Sequence, residues 1–366
     1  MKAQSYAAAG KPMSGGDGGR SAAQGPLLRI EDLTIGYFGQ DRDEPVRIIR
    51  NVDLTIDHNM IVGLVGESGS GKTQTARAIL KLNTRPLQPL EGHIFMDGVD
   101  LLALTGEKLR AIRGDKVAMI FQDPRASLNP LMRIGDQLAR IYALHQGISR
   151  AAAQAEAIEM LRRCGIAGPE RVARSYPHQL SGGMCQRVMI SLSLGMQPDL
   201  LIADEPTTGL DVTIQAQILE LIQTAQRETG SSLLLITHDL GVVAEVCQRV
   251  AVMYAGRIVE FAPVDELFTH PRHPYAIHLL QASLALEAPE KAAETPASGY
   301  PAEASPSLEL SVGQETYQAS LESARDPDAT AFMVEVSPGH LVLGTPVTVD
   351  QAVPSGFLSG QAGAKV

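Results

Sequence analysis

The chain has 366 residues, 44% of them hydrophobic, enough for one large α/β domain with an appendage or for two modest domains. A formal net charge of −10 excludes a general attraction to nucleic acid, and three scattered cysteines, Cys164, Cys185 and Cys247, form neither a disulfide framework nor a zinc site. No apolar run reaches the roughly 18 residues of a membrane span and the N-terminus lacks the apolar centre of a secretory signal, so the expectation is a cytoplasmic protein that reaches a membrane only through partner chains.

Residues 1–26, rich in Gly, Ala and Ser, read as a disordered leader. LLRIEDLTIGYF alternates apolar with polar residues and predicts a strand ending near Tyr37. An aromatic side chain there can stack on a purine or serve as a core or edge residue. After a charged turn over Gly39 to Pro45, VRIIRNVDLTI predicts a second strand of an antiparallel subsheet.

MIVGLV is a buried strand that runs into Gly66-Glu67-Ser68-Gly69-Ser70-Gly71-Lys72-Thr73, and a helix is expected over Gln74 to Leu82. The spacing is that of a phosphate loop, G-x-x-x-x-G-K-[ST], in the strand–loop–helix context the motif requires. Glycines let the backbone close on polyphosphate, and the amides and helix N-terminus face its charge. Lys72 reaches the β- and γ-phosphates, and the Thr73 hydroxyl can ligate Mg²⁺.

Residues 83–116 read as turns with one short strand, GHIFMDG. KVAMIF is a buried strand that ends at Gln122, where Asp123-Pro124 turns the chain. An amide at the carboxyl end of a central strand can touch a metal or a water, or can cap the strand. Ser149 starts a capped helix, RAAAQAEAIEMLRRC, with Ile158 and Leu161 on its apolar side. Leu180, then Ser181-Gly182-Gly183-Met184, opens another helix whose N-terminus can bind an anion.

DLLIADEP is a strand that ends in two carboxylates: Asp204 has the form of the strand aspartate that helps hold Mg²⁺, and Glu205 is placed to polarise a water. After the turn TTGLD, which ends at Asp211, a long helix runs to Gly230, and SSLLLIT delivers His238 at a strand end, where it can sense a phosphate or orient water. Arg249 to Glu260 reads as a hairpin turning at Ala255-Gly256. His270, His273 and His278 invite a metal reading, but Pro271 and Pro274 interrupt their spacing and no carboxylate or cysteine completes a set. From Ala282 to Thr330 the composition predicts a linker, followed by a strand-like AFMVEVSPGHLVLGTPVTV and a Gly-rich tail from Pro354.

In order and spacing these stretches resemble the ATP-binding subunit of ABC transporters from Leu27 to about Leu280. The resemblance implies an α/β fold of the P-loop NTPase type, with an antiparallel β subdomain and a helical subdomain that carries the signature. It divides the chain into the leader 1–26, an ATPase domain 27–280 and a C-terminal extension 281–366, partly disordered. It assigns adenine stacking to Tyr37, the phosphate loop to residues 66–73, the Q-loop to Gln122, the signature to Leu180 to Met184 with Ser181 first, metal binding to Thr73, Gln122 and Asp204, the catalytic base to Glu205, the D-loop to Asp211 and the switch histidine to His238.

FQDPRASLNP, YPHQLSGGM, ADEPTTGLDVTIQAQIL and FTHPRHPYAIHLL are similar to the oligopeptide, dipeptide and nickel import branch. The implied substrate is ATP with Mg²⁺. The implied partners are transmembrane permeases, a second ATPase (a copy or a paralogue) in a head-to-tail dimer and, indirectly, an extracytoplasmic solute-binding protein. The implied place is the cytoplasmic face of the membrane. An importer of nickel or another small solute and a soluble ABC ATPase not coupled to transport are the alternatives. Relatives with an iron–sulfur centre carry clustered cysteines in the extension, whereas this chain has none after Cys247, so no cluster is expected. Every nucleotide motif precedes residue 281, so the segment beyond it is expected to be dispensable for ATP hydrolysis.

Overall fold

The computed structural model describes residues 25–39, 44–287, 307–312, 315–326 and 331–347. Most of the expected leader, part of the charged turn and the tail from Pro354 lie outside these residues. The strands in chain order are β1 (Leu28–Tyr37), β2 (Val46–Ile56), β3 (Ile61–Val65), β4 (Gln88–Met96), β5 (Val99–Asp100), β6 (Val117–Ile120) and β7 (Leu200–Asp204). They continue with β8 (Ser232–Ile236), β9 (Arg249–Tyr254), β10 (Arg257–Pro263), β11 (Ser307–Val312), β12 (Glu315–Ser320), β13 (Phe332–Ser337) and β14 (His340–Pro346). The chain folds as two discontinuous units. One contains Ile56–Ile61 and Met96–Ile236; the other contains Leu28–Thr55, Val62–Phe95 and the chain from Thr237 onward.

In the first unit β6, β7 and β8 are parallel, with Ile120 opposite Ala203 and Asp204 opposite Ile236. Every residue of the three strands is buried, as parallel strands covered on both faces require, which is why each reads as an unbroken apolar run. Their carboxyl ends deliver Gln122 and the Asp204–Glu205 pair. The helix Arg150–Arg163 is capped by Ser149, whose Oγ accepts from the Ala152 amide at 3.3 Å. Its buried face is Ala153, Ala157, Met160 and Leu161, while Ile158 is only half-buried, so the expected face is rotated. A helix at Gly106–Ile112 replaces expected turns; it buries no residue and therefore carries no apolar periodicity to read.

In the second unit β2, β1 and β4 lie side by side. β3 pairs in parallel with β9, and β9 returns antiparallel as β10. Ala255 and Gly256 turn that hairpin with φ of 47° and 83°, the left-handed pair a tight two-residue turn needs. β14 then pairs antiparallel with β10, placing Val342 opposite Glu260 and Leu341 opposite Phe261, and β12 and β13 both pair with β14.

The expected linker is thus corrected within the described residues. The helix Pro274–Glu287 begins on a proline suited to a first turn, and β11, β12 and the helix Leu321–Arg325 follow. Leu310, Tyr317, Ala319, Val334 and Val342 form a small core there. The strands were hidden because each contributes only one or two core side chains amid Ala, Glu and Ser. Residue 280, where the resemblance stops, is not the end of the packing.

His273 is fully buried, and its Nδ1 accepts from the Tyr275 amide at 3.1 Å. A backbone interaction with Ser320 offsets the burial only in part. Burial lowers its pKa from 6.5 to about 3. The unfolded chain takes up this proton below about pH 6.5 and the folded chain does not, so stability falls as pH falls between these values. Denaturant unfolding at pH 7 and pH 5 is expected to show a loss of ~2 kcal/mol that His273→Asn abolishes. Equal losses in both proteins would refute a neutral buried imidazole. Among the described residues no three His, Cys, Asp or Glu side chains are grouped to hold a metal.

Candidate active site

The phosphate loop leaves β3 and enters the helix Lys72–Ile79. Gly66, Gly69 and Gly71 have φ of 148°, 84° and 114°. A Cβ at Gly66 would sit 2.1 Å from the Met253 carbonyl oxygen, and one at Gly71 would sit 2.4 Å from Ile49 Cδ1, so close packing as well as backbone shape demands glycine. The buried Lys72 Nζ donates to the carbonyl oxygens of Gly66 and Glu67, both at 2.8 Å, which holds the ammonium over the loop. Ser70 Oγ is buried without a hydrogen-bond partner, although its carbonyl accepts from the Gly256 amide at 2.9 Å. An unpaired hydroxyl beside a held ammonium and a helix N-terminus without an acidic residue fits a polyphosphate.

Tyr37 ends β1 half-buried, and the adjoining Phe38 is 58% exposed. His238 is exposed, and the next residue, Asp239, caps the helix Leu240–Val246 by accepting from the Val242 amide at 3.1 Å.

In the unit that carries β7, Asp204 is buried at the strand end. Glu205 leaves the strand at a φ of 47°, uncommon for a residue with a side chain, and its amide donates to the Ile236 carbonyl at 2.9 Å. Glu205 Oε2 accepts from Gln122 Nε2 at 2.7 Å and from Thr208 Oγ1 at 2.9 Å. Two residues assigned separate tasks in the sequence are therefore joined directly. Thr208 carries no signal of its own in the sequence, although its place three residues after Glu205 in a tight turn brings it within reach.

Ser181 caps the helix Gly182–Leu194 by accepting from the Met184 amide at 3.3 Å, and Ser181 and Gly182 are exposed. Asp211 caps the helix Val212–Thr229 through the Ile214 amide at 3.0 Å. Gln186 Nε2 donates to the Pro206 carbonyl at 2.7 Å, tying the Ser181 helix to the turn after Glu205. Arg125 Nη2 donates to the Leu180 carbonyl at 3.2 Å, tying the segment after Gln122 to the same helix start. The buried Cys185 thiol lies 3.6 Å from the Pro177 carbonyl, and burial pushes its pKa up.

A glycine phosphate loop, a strand ending in Asp204–Glu205 and a separately capped Ser-Gly-Gly helix are the parts of an ATP-binding cassette, and the chain belongs to the ABC transporter ATP-binding proteins, which are ATPases. A family model described as ABC transporter matches residues 49–208, and one described as AAA domain, putative AbiEii toxin, Type IV TA system matches residues 173–244. The chain is similar to the oligopeptide transport ATP-binding protein OppD of Bacillus subtilis (strain 168): 48% identical over 264 residues, 71% of this chain and 73% of that protein. It is equally similar, at 48% over 262 residues, 70% of this chain and 77% of that protein, to a putative peptide import ATP-binding protein of Brucella abortus (strain 2308). Among solved structures, an ATP-binding cassette in a dimeric post-hydrolysis state bound to ADP and Pi matches with a TM-score of 0.58 and 28% identity, covering 65% of this chain and 99% of that one. The family and fold class that the motifs resembled are confirmed.

Proposed function

We propose that this chain is the ATP-hydrolysing subunit of a di- or oligopeptide importer, docked on the cytoplasmic face of the membrane against permease subunits and paired with a second ATPase. A solute-binding protein would act on it only through the permeases. The observation that carries the chemistry is the carboxylate of Glu205, fixed by Gln122 and Thr208 at the end of β7. The names of the relatives at 48% identity carry the substrate class.

In this reading the loop amides and Lys72 hold the phosphates, Glu205 takes the proton of the attacking water, and His238 steadies the γ-phosphate side. Tyr37 stacks on the adenine. The Thr73 hydroxyl, the Asp204 carboxylate and Gln122 Oε1 are hard oxygen donors suited to Mg²⁺. Bound there, Mg²⁺ would neutralise charge on the β- and γ-phosphates. Gln122 suits two tasks, because its Nε2 is engaged with Glu205 while its oxygen remains an acceptor.

The test is uptake of a labelled tripeptide and of Ni²⁺ by cells lacking this chain, complemented with wild type or Lys72→Ala, alongside ATP binding by the purified proteins. Peptide uptake is expected to return only with wild type. Lys72→Ala is expected to weaken ATP by about 10²-fold or more, since charge-assisted bonds to phosphate are lost. Restoration of nickel uptake alone would overturn the substrate class. Unchanged ATP affinity would overturn the phosphate-loop assignment.

A further inference from the structure

We propose that the helix Leu321–Arg325 and the strand β14 position the phosphate loop of their own chain through Tyr275 and so set its ATP affinity. The inference rests on the phosphate-loop reading above and replaces the expectation that the extension is dispensable.

Tyr275 is the meeting point. Its side chain is fully buried, and its Oη accepts from the Glu67 amide at 2.9 Å, inside the phosphate loop. Burial raises its pKa, which keeps the phenol neutral. The Glu67 N–H shares its peptide unit with the Gly66 carbonyl, which accepts from Lys72 Nζ at 2.8 Å, and the next carbonyl, that of Glu67, accepts from the same ammonium. Fixing the Glu67 peptide therefore fixes the seat of the lysine.

Two lines reach Tyr275 from the extension. The first comes from the helix Leu321–Arg325. Arg325 Nε donates to Tyr254 Oη, and its guanidinium lies 5.3 Å from the Tyr254 ring centroid. The Tyr254 ring in turn packs 4.3 Å from the Tyr275 ring. The same helix is clamped from beneath: Arg50 donates to the Arg325 carbonyl at 2.8 Å and to the Ala324 carbonyl at 2.9 Å.

The second line comes from β14. His340 Nε2 lies 2.7 Å from Glu260 Oε1, both side chains being shielded from solvent. Glu260 also accepts from the amides of Arg272 at 2.9 Å and His273 at 2.7 Å. Those residues lead directly into the helix that carries Tyr275, whose own amide is held by His273. A buried carboxyl group engaged by two amides and an imidazole is a rigid joint, because loosening any one of them leaves a buried polar group unsatisfied. The ring of Tyr275 is thus set by residues 321–325 and its backbone by residue 340.

The test uses the full chain, with ATP–Mg²⁺ affinity measured by calorimetry and thermal unfolding measured alongside. Tyr275→Phe removes one oxygen and keeps the ring, and it is expected to raise the ATP Kd by about 2–10-fold, the worth of one neutral hydrogen bond. Arg325→Ala, 87 residues past His238, is expected to raise it severalfold in the wild type and to add nothing in the Tyr275→Phe background, since both act through one path. Arg325→Lys, which keeps a cationic donor near Tyr254, is expected to recover part of the affinity. Should Arg325→Ala fail to fold, Tyr254→Phe removes the acceptor of the same bond. An unchanged Kd in Tyr275→Phe or in the Arg325 and Tyr254 variants, or additive losses in the double variant, would overturn the proposal. Lys72→Ala separates the two readings: if it abolishes ATP binding while these variants leave the Kd alone, only the role of the extension fails.

Discussion

Glu205→Gln is expected to bind ATP as the parent does while turning it over about 10²–10⁴-fold more slowly, the usual loss on removing a general base. The geometry makes this substitution unusually selective. Oε2 accepts both hydrogen bonds, from Gln122 and from Thr208, and an amide oxygen in that place can still accept both. Only the opposite oxygen becomes an NH₂, which cannot take a proton from water. The turn after β7 and the left-handed backbone at this residue are left as they are. Steady-state hydrolysis by the purified transporter complex measures the effect, and turnover within a few-fold of wild type would remove Glu205 from the mechanism.

Substitution of Ser181 is expected to abolish ATP-dependent association of this chain with its partner ATPase while leaving ATP binding by the single chain intact. Ser181 and Gly182 stand exposed at the start of a 13-residue helix, and their amides are available to a phosphate held by another chain. Ser181→Arg fills that space, but it also removes the cap on the Met184 amide, which alone costs about 0.5–2 kcal/mol of stability. Ser181→Asp is therefore the cleaner variant, since aspartate caps as well as serine and sets a negative charge where the phosphate would come. Light scattering with ATP–Mg²⁺, in the Glu205→Gln background to prevent hydrolysis, is expected to show dimers for the parent and monomers for both variants. If Ser181→Asp associates as readily as its parent, the composite site shared between two chains is wrong.

What could be read in advance divides along a physical line. β3, β6, β7 and β8 are short and buried throughout, so their apolar runs stood out against polar surroundings. The loop glycines and the caps Ser149, Ser181 and Asp211 act within three or four residues of themselves, so local spacing reveals them. The helix Gly106–Ile112 and the strands β11 and β12 bury too little to leave a pattern. Side-chain pairs between distant segments leave none at all. Gln122 meets Glu205 across 83 residues and Tyr275 meets Glu67 across 208, and nothing in either neighbourhood names its partner. The course of the phosphate loop is thus legible, whereas what steadies it is not.

The pairing of β14 on β10 also bears on how the chain is made. Arg257 to Ala262 of β10 are buried, yet the strand that covers its outer edge begins only at His340, 80 residues after Glu260. At about 5–20 residues per second of synthesis, this edge waits roughly 4–16 s for its cover. During that interval its free N–H and C=O groups are a template for any other nascent strand. A chain ended at residue 281 would keep every nucleotide motif and never close that edge. Such a product is expected to be lost to precipitation, and its missing activity would then say nothing about catalysis.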